Sequence, residues 1–291
     1  SIRGKAHCLG LAHKTREDYL YSSEEDAFII KHARSLTRAV IGKAIGRSEG
    51  SVSLRGKRLG IEFCDPSKHA IYSKNMHFFS YPNIFNAYIA GWIASDGWIR
   101  LTSSDKTINQ VGISLAIKDI HILEYFKAVT EYSGVIREYD VDGYPQAELR
   151  ISGVPQWITD LENNWHLTPK KTYTIQPPNL DALSHDQLLA YMVGLIEGDG
   201  HVKKAKGTLV VSFVTASKSF SEWVAQVWGQ LSGGEPAEYT HKTSEAYYIN
   251  LYGKNARNLC RELLKVNVHR LNRKWDIAEQ EIERWAALDE E

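Results

Sequence analysis

The stretch "AYMVGLIEGDGHV" at residues 190–202 is decisive for the fold because the chain contains a second version of it. That version is "AYIAGWIASDGWI" at residues 87–99. Each stretch has the composition of an apolar helix, and that helix would finish on an aspartate followed by a glycine. An aspartate at this position opposes the negative end of the helix dipole, so both endings require an explanation.

The two stretches mark an internal repeat, because Asp199 follows Asp96 by 103 positions and the same offset returns downstream. The later matches pair Leu161 with Leu264, Asn164 with Asn267, His166 with His269 and Lys171 with Lys274. A chance apolar match would lose its register over this distance. The sequence therefore predicts an internal duplication of about 100 residues.

The periodicity within each half predicts an α+β unit with the element order αββαββα. Apolar helices at 84–96 and 187–199 come first, and strands with period-two alternation follow at 110–118 and 207–215. The other predicted elements are helices 119–134 and 219–234, each ending in a glycine cap, strands 134–141, 147–152, 236–241 and 247–253, and final helices 153–165 and 253–266.

Charge is unevenly distributed along a chain of 291 residues whose formal net charge is zero. Residues 1–80 contain 14 Lys and Arg against 8 Asp and Glu, whereas the remainder is mildly acidic. A basic front favours an anionic partner such as nucleic acid. No apolar run is long enough to span a bilayer, and no signal peptide opens the sequence, so a membrane partner is not expected.

The three cysteines offer neither a disulfide framework nor a zinc-binding spacing. Cys8, Cys64 and Cys260 are scattered and odd in number. The sequence therefore predicts reduced thiols and a cytoplasmic or similarly reducing location.

Residues 23–61 have the pattern of a three-helix unit of the helix-turn-helix type. Its predicted N-caps are Ser22 or Ser23, Thr37 and Ser48. Residues 1–11 align with residues 51–61 at an offset of 50 positions. We therefore expect residues 1–20 to be the remnant of an upstream copy of the same unit.

The predicted segments are 1–20 as that remnant, 21–80 as the helix-turn-helix module and linker, 81–180 as the first repeat and 181–291 as the second. The third helix of the module carries Arg55, Lys57 and Arg58, which are candidate DNA contacts. The alternative is a small helical bundle with a solvated basic face.

Small residues recur four positions apart on both motif helices, where they would share one helix face. They are Gly91, Ser95, Gly194 and Gly198. A glycine inside a helix costs about 1 kcal/mol relative to alanine, and close packing of the two related helices would offset that cost. Such packing would bring Asp96 and Asp199 together.

Two neighbouring carboxylates at helix C-termini repel each other unless a cation lies between them. Oxygen ligands of this kind suit Mg²⁺, and Mn²⁺ or Ca²⁺ is expected to substitute for binding. A metal held between carboxylates and a phosphate is the basis of phosphodiester cleavage. The alternative is that Asp96 and Asp199 are solvated residues before glycine caps, which suits a single aspartate better than a matched pair.

The segments "IAGWIASDG" (89–97) and "MVGLIEGDG" (192–200) resemble the two motifs of a monomeric, two-repeat LAGLIDADG homing endonuclease. The segment "IGKAIGRSEGSVSLRGKRLGI" (41–61) resembles a Myb/SANT-type helix-turn-helix module. The first resemblance implies two antiparallel sheets that form a saddle on double-stranded DNA. It also implies metal ligation by Asp96 and Asp199, with cleavage of both strands to short 3′ overhangs.

The resemblance covers about residues 84–280 and departs from the family at the sixth motif position. This position is Asp in the family, whereas it is Ala94 in the first repeat and Glu197 in the second. The eighth position, which supplies the metal ligand, is kept in both.

Further site residues are implied by the same resemblance. A basic residue near the end of each repeat would polarise the water network, and Lys171 and Lys274 fit the repeat offset, with Lys170 and Arg273 as competitors. The remaining implied residues are Lys118, which would position water, its counterpart near Ala216 or Ser217, and Ser95 and Gly198, whose backbone carbonyls would bind metal.

Strand alternation predicts which side chains face DNA. Val111, Ile113 and Leu115 would point into the core, which leaves the opposite face for DNA contacts. The predicted contacts are Ser114, Arg137, Tyr139, Gln146, Glu148 and Arg150 in the first repeat, with Ser212 and Asn250 in the second.

These patterns predict a monomeric, site-specific DNA endonuclease. The alternative is a protein of the same fold that binds without cutting, either a transcriptional regulator or an intron RNA maturase. The presence of both aspartates favours the nuclease, because a protein that only binds has no use for them.

Overall fold

The computed structural model describes residues 21–33, 38–61, 63, 72–101, 109–179, 181, 183–240 and 246–289. These residues divide into two compact units, one up to Phe63 and one from Tyr72 onwards. The proposed upstream copy at 1–20, the Thr37 cap, Cys8 and Cys64 lie outside the described residues. None of the described helices has the length and apolar content needed to cross a membrane.

The N-terminal unit contains the three predicted helices, α1 (Ser23–His32), α2 (Arg38–Ala44) and α3 (Glu49–Arg58). Its small core consists of Ile29, Ile41 and Val52, one side chain from each helix. Ser22 caps α1 in a reciprocal pair with Glu25, and the Ser48 side chain caps α3. The predictions of three helices and of serine caps at α1 and α3 are therefore confirmed.

The second unit contains two repeats with the same order of elements. The first repeat comprises α4 (Ile84–Ala94), β1 (Gly97–Leu101), β2 (Asn109–Ala116), α5 (Ile120–Val129), β3 (Arg137–Val141), β4 (Tyr144–Ser152) and α6 (Pro155–Trp165). The second comprises α7 (His185–Asp199), β5 (Gly200–Ala205), β6 (Thr208–Thr215), α8 (Lys218–Ser232), β7 (Ala237–Thr240), β8 (Tyr247–Tyr252) and α9 (Gly253–Leu263). A last helix, α10 (Asn272–Asp289), follows.

Each repeat forms a four-stranded antiparallel sheet, and the two sheets have the same strand order, β1-β2-β4-β3 and β5-β6-β8-β7. Gly97 pairs with Ile113 in the first sheet, and Gly200 pairs with Phe213 at the equivalent place in the second. This equivalence confirms the predicted α+β fold of tandem αββαββα repeats.

The helices cover one face of each sheet and close a continuous hydrophobic core. Val111, Ile113 and Leu115 of β2 are buried in this core, as the alternation predicts. The polar side chains on the same strands therefore project from the opposite faces, which are called the uncovered faces because the described helices of this unit do not lie on them.

Helices α4 and α7 pack at a distance that only glycine permits at their crossing point. A methyl group at Gly91 would lie 2.2 Å from the Tyr191 carbonyl oxygen, and one at Gly194 would lie 2.2 Å from the Tyr88 carbonyl oxygen. The contact is reciprocal, as a pseudo-twofold axis between the repeats requires. The predicted packing of the motif helices is confirmed.

Three local predictions differ from the structure. Helix α5 ends at Val129 with Thr130 as its C-cap rather than a glycine, and Glu131 adopts the left-handed conformation next to it. Strands β1 and β5 are counted in the predicted order αββαββα but had no predicted bounds, because each is short and follows the motif helix directly. Helix α10 was also missed, since its equivalent in the first repeat is only a short turn at Lys171–Tyr173.

We expect Gly91→Ala to destabilise the protein by about 2 kcal/mol or more, because the new methyl group collides with helix backbone that cannot move aside. Thermal or denaturant unfolding measures the change. Gly229→Ala in α8 is the matched control, since a methyl group there meets atoms only at 3.7 Å. An equal loss of stability in both variants would contradict the proposed close contact.

Candidate active site

Asp96 and Asp199 stand at the same ends of the two packed helices. Asp96 lies two residues beyond α4, and Asp199 is the last residue of α7. Burial raises the pKa of Asp199 to about 6, and repulsion from Asp96 acts in the same direction. Partial burial also raises the pKa of Asp96. Burial and mutual repulsion thus both disfavour the ionised pair, and a nearby cation would favour it.

Lys171 and Lys274 reach equivalent backbone carbonyls beside these aspartates. Lys171 Nζ donates to the Gly97 carbonyl at 2.6 Å, and Lys274 Nζ donates to the Gly200 carbonyl at 2.6 Å. Burial lowers the pKa of each lysine to about 8. The two lysines, which are 103 positions apart in the sequence, thus also bind equivalent carbonyls in the structure.

The two competing basic residues are placed differently. Lys170 adopts a left-handed backbone conformation and is exposed. Arg273 binds the buried Asp119 through two hydrogen bonds of 3.1 and 2.8 Å. The geometry therefore favours Lys171 and Lys274 over their neighbours as the lysines of the site.

Lys118 lies in a short 3-10 turn after β2 rather than in the strand, and its side chain is exposed. Its role in positioning water stays a prediction. In the second repeat, Ala216 lines a cavity of about 80 Å³ together with Asp199 and Lys171. Ser217 instead caps α8 and donates to the Ile175 carbonyl. The two repeats therefore differ at this position.

Glu197, which stands at the sixth motif position, accepts four hydrogen bonds that the sequence did not predict. Its Oε2 accepts from the Tyr88 hydroxyl at 2.5 Å and from Trp92 Nε1 at 3.1 Å. Its Oε1 accepts from the Leu271 amide at 2.6 Å and from Trp275 Nε1 at 2.8 Å. Burial raises the pKa of Glu197, and the four donors offset part of the cost of burying it. This carboxylate ties α4 and α7 to the start of α10.

The residues around the two aspartates fit a divalent cation only in part. Within the described residues, no group of three or more His, Cys, Asp and Glu side chains converges on one point. The Gly198 carbonyl, a predicted ligand, receives a long contact of 3.5 Å from Lys274 Nζ. Two carboxylates and nearby carbonyls supply oxygen ligands of the kind that Mg²⁺ prefers, and a bound phosphate and water would complete the set.

The uncovered face of the first sheet carries a prearranged arginine. Arg150 Nη2 donates to both carboxylate oxygens of Glu148, at 3.0 and 2.9 Å. The guanidinium groups of Arg100 and Arg150 lie over the Trp98 ring, 5.3 and 5.5 Å from its centre. Gly112 leaves room for that ring, since a methyl group there would lie 2.3 Å from it. Trp98 and Arg100 were missed, because β1 had no predicted bounds.

The other predicted DNA contacts lie on the uncovered faces with different exposure. Arg137 and Tyr139 are exposed, Ser114 and Gln146 are half-buried, and Ser212 pairs across the strands with the buried Asn250. The second sheet also carries Tyr239 stacked on Tyr248, with ring centres 5.1 Å apart. Contact of these residues with DNA stays a prediction.

The N-terminal basic residues are only partly available to a partner. Arg55 forms a two-pronged ion pair with Asp26, so a DNA phosphate would have to compete with that carboxylate, and contact of Arg55 with DNA stays a prediction. Glu25 holds Arg47 in the same way. Lys57 and Arg58 are exposed at the end of α3.

Comparison with known proteins gives a family match in the second repeat. Residues 186–264 match the family model described as a LAGLIDADG-like domain. No curated protein sequence matches the chain. The Myb/SANT-like resemblance of the N-terminal helices finds no support in these comparisons.

Three solved structures are similar to the chain. The I-LtrWI LAGLIDADG homing endonuclease bound to target DNA is 14% identical, with 75% of this chain and 92% of that chain covered and a TM-score of 0.49. The LAGLIDADG homing endonuclease I-GzeII in complex with its DNA target is 12% identical, with 71% and 92% covered and a TM-score of 0.49. I-SmaMI, bound to uncleaved DNA in the presence of calcium ions, is 12% identical, with 70% and 92% covered and a TM-score of 0.47.

We expect Asp199→Asn to raise the unfolding temperature in neutral, metal-free buffer. The pKa of this carboxyl is about 6 in the folded chain and 3.8 as its ordinary value. The aspartate therefore lowers stability progressively as the pH rises from about 4 through 6, and the asparagine removes that loss. Unfolding temperature against pH measures the effect, and the exposed Asp276→Asn is the control. An unfolding temperature of Asp199→Asn that stays at or below that of the wild type at neutral pH would contradict this electrostatic account.

Proposed function

We propose that the protein is a site-specific double-strand DNA endonuclease of the homing type. The observation that carries the proposal is the matched pair of aspartates at the ends of two packed helices, each followed by a carbonyl that binds a buried lysine. The LAGLIDADG-like match over residues 186–264 supports it.

The uncovered faces of the two sheets are the proposed DNA surface. The first sheet offers guanidinium groups at Arg100, Arg137 and Arg150, which can pair with guanine edges or phosphates. The second offers hydroxyl, amide and aromatic groups at Ser212, Asn250 and the tyrosine stack. Because the two faces differ, we propose a long, asymmetric target read by a single chain.

A divalent cation held by Asp96 and Asp199 would polarise the scissile phosphate and activate the attacking water. The aspartates would bind it in their ionised form, with the Ser95 and Gly198 carbonyls beside them. A lysine N–H group beside the aspartates would stabilise the negative charge that develops on the phosphate. We propose that each aspartate serves one strand, which gives a double-strand break with short 3′ overhangs, and that Mg²⁺ is the metal.

The N-terminal unit is proposed to add phosphate contacts to those made by the two sheets. Lys57 and Arg58 are its exposed basic residues on α3. We further propose that the protein acts as a monomer in a reducing compartment such as a cytoplasm. The buried free thiol of Cys260 is consistent with that compartment.

Cleavage of a library of duplex targets, with Mg²⁺ and with chelator, tests the nuclease. We expect Mg²⁺-dependent double-strand cuts at a narrow set of sequences. Asp96→Asn and Asp199→Asn should each abolish the double-strand cut and retain binding in a gel-shift assay, since neutral amides cannot hold the cation but keep the helix ends intact. Binding without any cutting by the wild type would instead identify a DNA-binding regulator or, if intron RNA is preferred, a maturase.

We expect the double variant Lys57→Ala, Arg58→Ala to weaken DNA binding and flatten its salt dependence. The slope of log affinity against log salt concentration should fall by roughly 1 for each lost phosphate contact. Titration of a labelled duplex at several salt concentrations measures this slope. The control is Lys265→Ala, because Lys265 already pairs with Glu262. An unchanged slope would show that Lys57 and Arg58 of the N-terminal unit do not contact DNA phosphates.

A further inference from the structure

The two site lysines occupy equivalent positions but differ in the number of acceptors they bind. Lys274 Nζ donates to the carbonyl oxygens of Ile196 at 2.8 Å, Glu197 at 2.6 Å and Gly200 at 2.6 Å. A lysine ammonium has three N–H donors, so these three short bonds use all of them. Lys274 is therefore committed to the carbonyls at the end of α7.

The Lys171 ammonium uses fewer of its N–H donors than that of Lys274. Within the described part of the chain, its Nζ donates to one acceptor, the Gly97 carbonyl. Its side chain lines the cavity of about 80 Å³ that Ser95 and Asp199 also line. Two of its N–H groups are thus available beside one of the aspartates.

The difference follows from how the two motif helices end. Helix α7 stays helical through Asp199, so its last carbonyls remain in line for capping. Helix α4 ends at Ala94, where Ser95 leaves the helical conformation and its hydroxyl lies 3.1 Å from the Gly91 carbonyl oxygen. Gly198 cannot copy Ser95, since a methyl group there would fall 1.9 Å from the Ser95 hydroxyl oxygen.

The two repeats also differ at the sixth motif position. Glu197 fixes the segment before Lys274 through the Leu271 amide and Trp275 Nε1. The first repeat has Ala94 at this position. The Tyr191 hydroxyl, which corresponds to the Tyr88 hydroxyl bound by Glu197, is buried without a hydrogen-bond partner among the described residues. Among the described residues, no equivalent carboxylate anchors the segment that carries Lys171.

We propose that the two catalytic centres are chemically unequal, with Lys171 acting on the DNA and Lys274 acting as a helix cap. The DNA strand bound at the catalytic centre that contains Lys171 and Asp199 is then cut first, and a nicked duplex precedes the double-strand break. This inference rests on the proposed nuclease function for its effect on cleavage. The difference in free lysine donors is independent of that function.

Strand-resolved cleavage tests the consequence for catalysis. With each strand of a cleaved duplex labelled separately, the wild type should nick one strand faster. Lys171→Met should slow that strand by about 10²-fold, as loss of one charge-stabilising donor does, and leave the unfolding temperature nearly unchanged. Lys274→Met should lower the unfolding temperature and keep the strand preference. The exposed Lys254→Met is the control, with wild-type rates on both strands.

Trace methylation of the free wild-type protein with formaldehyde and a reductant tests the lysines without DNA or substitution. Peptide mass spectrometry should find Lys171 modified several-fold faster than Lys274. Equal labelling, equal nicking of both strands, or a strand-specific loss in Lys274→Met without loss of stability would each overturn the inference. If Lys171 is labelled preferentially but the protein cuts no target, the nuclease proposal and the order of strand cleavage are both rejected. The inference that the two lysines differ in available N–H donors would remain supported.

Discussion

The reciprocal contact of Gly91 and Gly194 with the opposing helix backbone is the constraint on which the rest of the structure depends. Each glycine leaves room for a carbonyl oxygen of the other helix, and a side chain on either would separate the pair. The contact fixes the pseudo-twofold axis between the repeats. It also brings the ends of α4 and α7 side by side, which places Asp96 and Asp199 within electrostatic reach of each other.

That proximity sets the chemistry of the site. Helix ends of the same polarity, two carboxylates and two lysines share a partly buried region, so the pKa values of Asp199 and of both lysines move towards neutrality. Burial is the largest cause of each shift. The resulting cluster is costly to fold, and under the proposed nuclease function it is the place where a cation and a phosphate would be held.

The pseudo-symmetry is closely kept in the backbone and relaxed in the side chains. Strand order and register repeat, yet Trp98 of the first sheet is replaced by His201 in the second and Arg150 by Asn250. A duplicated scaffold of this kind can diverge on each face separately, because residues on the uncovered faces do not contribute to the shared core. The chain thus combines one rigid framework with two distinct polar surfaces.

The sequence by itself determined the duplication, the αββαββα order, the paired glycines and the positions of Asp96, Asp199, Lys171 and Lys274, because periodicity and a constant offset are linear properties of the chain. Only the tertiary structure decided that Arg55 binds Asp26, that Glu197 joins α4 and α7 to α10, and that Lys274 uses its donors on helix carbonyls whereas Lys171 does not. Each of these contacts connects residues more than twenty positions apart. Their partners depend on how the elements pack, and local sequence pattern carries no record of that.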